Sequence, residues 1–371
     1  MREPFVPPIY PFDKLAPLQA KADALEGGCV DLSVGAPVDE PPPGVLEALA
    51  SSGAERGYPA SIGTAQLRDA ASRWMKRRLG VDVPASQVAA CIGTKELVAG
   101  MPHWLSLRDP SRDTVLYPAV AYPTYEMGAL LAGLRAVPVP VDSSFRLDVS
   151  QISPDDARRA VVLWSNSPGN PAGNLDDLAS IVAFGREHGV LVASDECYVE
   201  LTWQGSRRTA LAWGTDGVLA VHSISKRSNL AGVRAGFYAG DADVVRFLGE
   251  VRKHAGFMVP GPVQHAAAIA LDDDAHVERQ REIYWRRLQR FAAILREAYG
   301  VDAPMPGGGI YLWVPAPGGD AWGFAERLAA EGGALVSPGD FYGPQAATYV
   351  RVALVQPDDR LELVAQRLGV S

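Results

Sequence analysis

Lysine is scarce in this chain. Only six occur in 371 residues, Lys14, Lys21, Lys76, Lys95, Lys226 and Lys253, so positive charge rests mainly on arginine. There is no basic tract, and the formal net charge is −8, which opposes binding to a phosphate backbone over most of the surface. Cysteine is rare too. Cys29, Cys91 and Cys197 lack metal-type spacing and cannot all pair, which points to free thiols in a reducing compartment, the cytoplasm. No apolar run approaches membrane-span length, and the Pro-rich N-terminus has no signal-peptide core. No Gly-x-Gly-x-x-Gly follows the first strand of the repeating region, which disfavours a dinucleotide-binding dehydrogenase. The N-terminus also lacks a helix-turn-helix or basic region, which disfavours a DNA-binding regulator.

What is present is a large, well-mixed globular composition, 47% hydrophobic and 21% charged, long enough for two domains. After Pro84 an apolar strand, a glycine-bearing turn and a helix recur. The predicted strands are Val88–Ile92, Thr114–Tyr117, Ala136–Val141, Ala160–Asn166, Val190–Ser194, Val218–Ser223 and Ala235–Ala239. Strands alternating with helices predict an α/β domain with a mainly parallel seven-stranded sheet, and ligands at the strand C-terminal ends. Beyond Pro262 a long helix, about Asp274–Tyr299, precedes three shorter strands, Gly309–Val314, Ala334–Ser337 and Tyr349–Leu354. The expected division is an arm over 1–13, a large domain over 44–260, and a smaller α+β domain from 14–43 and 261–371. The early strand at Val30 is assigned to the smaller domain.

Chemistry-bearing residues gather at the predicted strand ends. Gly93-Thr94-Lys95 opens a helix, as an anion site or as a plain helix cap. Tyr122, in Ala121-Tyr-Pro-Thr-Tyr125, is placed to stack on a flat ring or simply to pack. Asn170, within Ser165-Asn-Ser-Pro-Gly-Asn-Pro-Ala-Gly173, offers a fixed amide in what is otherwise a loop. Asp195 ends an apolar strand, where an uncompensated carboxylate is costly; it wants a cationic partner or caps the next helix. Ser223 and Arg234 suit a phosphate, with Lys226 between them as an amine nucleophile or a solvated loop lysine. Arg351, mid-strand between apolar neighbours, suits a bidentate carboxylate clamp. Pyridoxal 5′-phosphate answers all these features together, having a phosphate, an aromatic ring, a phenolic oxygen, a ring nitrogen that needs an acid and an aldehyde that needs a lysine.

The chain resembles the class I/II aminotransferases of the fold-type-I pyridoxal-phosphate enzymes. The resemblance rests on Asn170-Pro-Ala-Gly173, Asp195-Glu-Cys-Tyr198, Ser223-Ile-Ser-Lys226 with Arg234, and Arg351, in the family's order. Within that family it looks most like the bacterial succinyldiaminopimelate aminotransferases, through Asp31-Leu-Ser-Val-Gly-Ala-Pro-Val38, Gly93-Thr-Lys-Glu-Leu97, Arg252-Lys-His-Ala-Gly256 and Pro338-Gly-Asp-Phe-Tyr-Gly343.

The resemblance implies that Lys226 carries the cofactor as a Schiff base and shuttles the proton, while Asp195 holds the ring nitrogen. It implies that Tyr198 and Asn170 bind the phenolic oxygen, that Tyr122 stacks on the ring, that Gly93, Thr94, Ser223 and Arg234 bind the phosphate, and that Lys95 also lies among the cofactor-binding residues. Tyr58 would reach the cofactor of a second subunit, making a homodimer with shared sites. Arg351, with the Gly35 backbone and Asn170, would hold the substrate.

The implied reaction is ping-pong transfer between glutamate/2-oxoglutarate and N-succinyl-2-amino-6-oxopimelate, small-molecule amino acid and oxoacid substrates, with no metal. Alternatives are an aspartate, aromatic or LL-diaminopimelate aminotransferase, or a carbon–sulfur lyase. Lys95, Arg2 and the region of Phe12 are candidates for the distal substrate groups. Ala172, Cys197 and Arg227 depart from the commoner family pattern, and Arg227 either faces solvent or shapes the phosphate pocket.

Overall fold

A computed structural model describes residues 4–371, so Arg2 lies outside the described residues. The chain divides into two compact units. The smaller comprises Met1–Gly35, Arg286–Met305 and Tyr311–Ser371, and the larger comprises Ala36–Trp285 with Pro306–Ile310. Residues 261–285 therefore group with the larger unit, beyond the expected boundary at 260. No helix among the described residues is long and apolar enough to cross a membrane.

The smaller unit opens with α1 (Ala16–Asp23) and β1 (Val30–Asp31). In the larger unit, α2 (Pro43–Ser51) and α3 (Ala65–Trp74) lead into β2 (Val88–Cys91) and α4 (Thr94–Arg108). Thr64 caps α3, its hydroxyl accepting from the Leu67 N–H at 3.2 Å. The helix then loosens into a π-helical turn over Met75–Leu79 and ends at Gly80, whose φ of 72° suits glycine. Next come β3 (Thr114–Pro118), α5 (Thr124–Leu131), β4 (Arg135–Val139), α6 (Pro154–Arg159), β5 (Ala160–Asn166), α7 (Leu178–His188) and β6 (Leu191–Asp195). After these come β7 (Val218–Ser223), the four-residue α8 (Ile224–Arg227), β8 (Gly236–Gly240), α9 (Ala242–His254) and α10 (Gly261–Asp272).

These strands form one seven-stranded sheet in the order β2-β8-β7-β6-β5-β3-β4. The pairs among β3 to β7 are parallel, whereas β8 runs antiparallel to both β2 and β7. The reversal is local. Ser223 at the end of β7 pairs with Gly236 at the start of β8, so the chain re-enters the sheet at the edge it has just left.

Both faces of the sheet are covered, with the two-residue period of buried strands. Val88, Ala90, Val218, Ala220, Phe237 and Ala239 join Leu67, Ala70 and Trp74 of α3 on one face. Ala89, Cys91, Leu219, Val221 and Tyr238 join Leu97 and Met101 of α4, Tyr125 of α5 and Leu248 of α9 on the other. The α10 helix packs on α2 and α3, which is why residues 261–285 group with this unit.

A long helix, α11 (Ala275–Tyr299), leaves the larger unit and enters the smaller. There β9 (Tyr311–Pro315), α12 (Ala321–Arg327), β10 (Ala334–Leu335), β11 (Ser337–Pro338), β12 (Tyr349–Ala353) and α13 (Asp358–Arg367) follow. The strand predicted over Ala334–Ser337 is two strands in two sheets. β10 pairs in parallel with β1, and β11-β12-β9 form a separate antiparallel sheet. β1, which holds Val30, thus pairs within the smaller unit.

Candidate active site

The parallel strands of the larger unit deliver Asn166, Asp195 and Ser223 to their C-terminal ends. Asn166 pairs in register with Asp195, and Asp195 with Val221, two residues before Ser223. Asp195 is 6% exposed, and its hydrogen-bond donors are neutral. The Tyr125 hydroxyl donates to Oδ2 at 2.9 Å and the Cys197 N–H to Oδ1 at 3.2 Å. Burial raises the Asp195 carboxyl above its ordinary range, and the bonds from Cys197 and Tyr125 only partly oppose that. A carboxylate held this way is stabilised by a protonated ring nitrogen, the partner its position in the sequence predicts.

Tyr125 was not legible as part of the site. It is fully buried, stacks on Trp164 with centroids 5.1 Å apart, and meets the half-buried Tyr122 edge-on at 5.9 Å. The demand of a buried acid for a donor was the available signal, but nothing in the sequence selects this tyrosine.

The Asn170 loop is fastened to the same strand end. The Asn166 side-chain amide donates to the Asp195 carbonyl at 2.9 Å, and its Oδ1 accepts from the Asn170 N–H at 2.7 Å. Asn170 and Tyr198 are both buried, at 8% and 6% exposure. Tyr198 immediately precedes a short 3₁₀ turn, Val199–Leu201, three residues beyond Asp195.

An anion cradle forms where α4 begins. Gly93 precedes the helix with φ 71°, and a Cβ added there would lie 2.0 Å from Arg234 Nη2. The guanidinium thus lies against the glycine Cα, beside the first N–H groups of a 15-residue helix. Arg234 itself has φ 57° and donates to the Ala231 carbonyl at 2.7 Å. The Thr94 hydroxyl lies 3.3 Å from Cys197 Sγ, which ties the cradle to the Asp195 turn. Gly236 lies between Cys91 and Ser223 in the sheet, and a Cβ there would meet Thr94 Cγ2 at 3.2 Å, so Ser223 is close to the same cradle. Two hydroxyls, a guanidinium and a helix N-terminus suit a phosphate. Lys95, in the first turn of α4, has an exposed side chain.

Lys226 is half-buried on α8, directly after β7 and the strand neighbour of Asp195's β6. Ser223 caps that turn, its Oγ accepting from the Ser225 N–H at 3.1 Å. Arg227 neither faces solvent nor enters the cradle; it is 3% exposed and bonded to the Ala270 carbonyl of α10 at 2.6 Å. Tyr58 is 98% exposed, apart from this constellation.

Arg351 and Gly35 belong to the smaller unit. Arg351 is 3% exposed on β12 and donates to the Ser33 carbonyl, with its Cζ 4.2 Å from the Tyr311 ring centroid and 4.9 Å from that of Tyr342. The Ser337 hydroxyl donates to the same carbonyl at 2.8 Å. Gly35 is held against Tyr311, since a Cβ there would lie 2.1 Å from the Tyr311 hydroxyl.

Comparison with known proteins agrees with this arrangement. The family model for aminotransferase class I and II matches residues 28–368. The chain belongs to that family. It is 43% identical over 97% of its length to the 4-dedimethylamino-4-oxo-anhydrotetracycline transaminase OxyQ of Streptomyces rimosus, covering 99% of that protein. It is 34% identical to an LL-diaminopimelate aminotransferase of Desulforudis audaxviator, over 97% of this chain and 95% of the other. A solved structure of a probable N-succinyldiaminopimelate aminotransferase from Thermus thermophilus superposes with a TM-score of 0.85 at 29% identity, covering 96% of this chain and 99% of that one.

The protein is an aminotransferase with the fold-type-I architecture, and its family depends on pyridoxal phosphate. The residues present fit that cofactor. A side chain at Gly93 would displace the Arg234 guanidinium from the start of α4, and the raised Asp195 carboxyl is one that a cation would stabilise. When bound, pyridoxal phosphate supplies an electrophilic carbonyl for an amine and a ring that accepts the electron pair released at Cα.

Proposed function

We propose that this aminotransferase moves an amino group between glutamate/2-oxoglutarate and N-succinyl-2-amino-6-oxopimelate. One observation carries the catalytic assignment: Asp195 is buried at the end of β6, its donors among the described residues are the neutral Tyr125 hydroxyl and Cys197 N–H, and the adjacent strand β7 ends in the Lys226 turn. In this reading Lys226 holds the cofactor and moves the proton at the substrate Cα. Asp195 keeps a proton on the ring nitrogen, and Tyr125 keeps the carboxylate in place. Asn170 and Tyr198 donate to the phenolic oxygen, and Tyr122 covers the ring. Gly93, Thr94, Lys95, Ser223 and Arg234 hold the phosphate.

Arg351 pairs with the substrate α-carboxylate, beside the Gly35 backbone. Its planar fork suits a carboxylate, and the rings of Tyr311 and Tyr342 fix its plane. Tyr58, exposed on its loop, serves the cofactor of a second copy in a homodimer.

The substrate reading draws on the stretches shared with succinyldiaminopimelate aminotransferases and on the likeness to the Thermus thermophilus protein. A second reading, a 4-oxo-anhydrotetracycline as amino acceptor, is favoured by the 43% identity to OxyQ. With glutamate offered as donor in both cases, the acceptor decides between them.

The test mixes cofactor-loaded protein with glutamate and follows loss of the lysine-linked cofactor absorbance. It then offers each acceptor and follows its return. Return with the succinylated oxopimelate supports the first reading. Return only with the tetracyclic ketone, or only with oxaloacetate or an aromatic oxoacid, overturns it.

A further inference from the structure

Arg227 follows the Schiff-base lysine, and the family resemblance assigns it no role. On α8, consecutive side chains diverge by about 100°, so Lys226 and Arg227 leave the turn in different directions. Arg227 goes inward. Its Nη1 donates to the Ala270 carbonyl at 2.6 Å and to the Ser228 hydroxyl at 3.1 Å, and its Nη2 lies 3.5 Å from Glu200 Oε1. Its Cζ is 5.9 Å from the Trp74 ring centroid.

Glu200 is the other half of this arrangement. It lies in the 3₁₀ turn that begins directly after Tyr198, and it is 2% exposed. Its carboxylate accepts from Trp74 Nε1 at 2.7 Å and from Arg78 Nε and Nη2 at 3.1 and 2.9 Å, and Arg207 Nε lies 3.2 Å away. Burial would raise this carboxyl, but Arg227 and Arg78 outweigh it and hold it below its ordinary range. The charge is therefore retained, and it binds the turn carrying Tyr198 to the turn carrying Lys226. Trp74 joins the two again, since its ring also meets His222, the residue before Ser223, at 4.9 Å.

We propose that Arg227 is a positioning residue: with Glu200 it fixes the rotation of α8, and so the direction in which Lys226 is presented relative to Tyr198. The inference rests on the reading of Lys226 as the cofactor-holding lysine. A four-residue helix has one turn and little intrinsic rigidity, so its orientation depends on what its buried side chains grip. An arginine reaching a backbone carbonyl and a carboxylate at once supplies that grip, and a lysine or an aliphatic residue reproduces only part of it.

The test uses the cofactor-loaded full chain with Arg227→Met, Arg227→Lys and Glu200→Gln. Arg227→Met is expected to lower kcat by about 10- to 100-fold, the effect of misplacing a catalytic group by about an ångström, with KM for glutamate little changed. The pH midpoint of the lysine-linked cofactor absorbance, read without substrate, is expected to shift, while cofactor occupancy stays full. Arg227→Lys should recover part of both losses. Glu200→Gln keeps an acceptor oxygen for Trp74 Nε1 but removes the charge that Arg227 and Arg78 face, so it should move kcat and the midpoint the same way, and Arg227→Lys decides the matter if Arg227→Met fails to fold.

An unchanged kcat and midpoint in a folded, loaded variant overturns the proposal, as does a loss explained wholly by lower occupancy. Lys226→Ala separates the two readings. If that variant still turns over, the lysine assignment itself is wrong; if it is dead while the Arg227 variants behave as wild type, only the positioning role falls.

Discussion

Arg252 grips Glu96 with both ends of its guanidinium, Nη1 to Oε2 at 2.9 Å and Nη2 to Oε1 at 2.5 Å. Glu96 is in the first turn of α4, and its Oε1 also accepts from the Ile92 N–H at 2.8 Å, before the helix starts. Arg252 is 1% exposed, and its Cζ lies 5.0 Å from the Phe257 ring centroid and 6.0 Å from that of Tyr238. A half-buried ion pair thus fastens the start of the anion cradle to α9.

Removing one partner of such a pair leaves the other charge without compensation, at a cost of about 3–5 kcal/mol when fully buried. Glu96 is partly exposed, so Arg252→Met should cost less than that range. It is expected to lower the melting temperature of the cofactor-free protein and to weaken cofactor retention on dialysis. Unchanged retention beside a lowered melting temperature would show that the pair serves stability alone.

The hydrogen bond from Tyr125 to Asp195 leads to a different outcome. A bond to a charged acceptor contributes about 1.5–3 kcal/mol, so Tyr125→Phe is expected to lower kcat by about 10-fold or more. KM for glutamate should change little, because the hydroxyl touches the carboxylate and not the substrate. Asp195→Asn, which removes the negative charge itself, should lower kcat further with cofactor still bound. Steady-state kinetics on both variants check the order, and a Tyr125→Phe enzyme as fast as wild type would remove Tyr125 from the site.

Asp195 was legible because a carboxylate ending a buried apolar strand needs compensation wherever it occurs. Its donor was not, since Tyr125 lies 70 residues earlier and only the sheet order brings it near. The Arg252–Glu96 pair spans 156 residues and is hidden for the same reason. Alternating apolar strands are visible as a period of two, but that period carries no direction, so the antiparallel course of β8 was not readable. Arg227 shows the limit within a motif. Two adjacent cations are neighbours in sequence, and the course of α8 decides that Arg227 is the one buried in the core.

Buried His222 makes stability depend on pH. Burial pushes its imidazole down from 6.5 to about 3, so below pH 6.5 the unfolded chain takes a proton that the folded chain refuses. Stability from this group is therefore lost as pH falls, by up to about 1.4 kcal/mol per pH unit. Its neighbour Glu196, pushed up to about 7 by burial, acts the other way by keeping a proton in the folded state. Replacing His222 alone isolates the first effect. In urea titrations between pH 7 and 5, the stability of His222→Gln relative to wild type should rise as pH falls, and parallel pH dependences would refute it.

Two glycine variants should separate the proposed cofactor site from the proposed substrate clamp. At Gly93 an added methyl would lie 2.0 Å from Arg234 Nη2, and the backbone at φ 71°, ψ 154° lies in a region essentially restricted to glycine, which costs a side chain on the order of 1–3 kcal/mol. The guanidinium must retreat from the cradle, so Gly93→Ala should weaken cofactor affinity measured by equilibrium dialysis. At Gly35 the added methyl would lie 2.1 Å from the Tyr311 hydroxyl. Tyr311 must then move, and Arg351, whose Cζ is 4.2 Å from its ring centroid, loses the surface that fixes its plane. Gly35→Ala is therefore expected to raise KM for glutamate while cofactor affinity stays at the wild-type value. Loss of cofactor in Gly35→Ala, or a KM effect confined to Gly93→Ala, would contradict the roles given to Arg351 and Arg234.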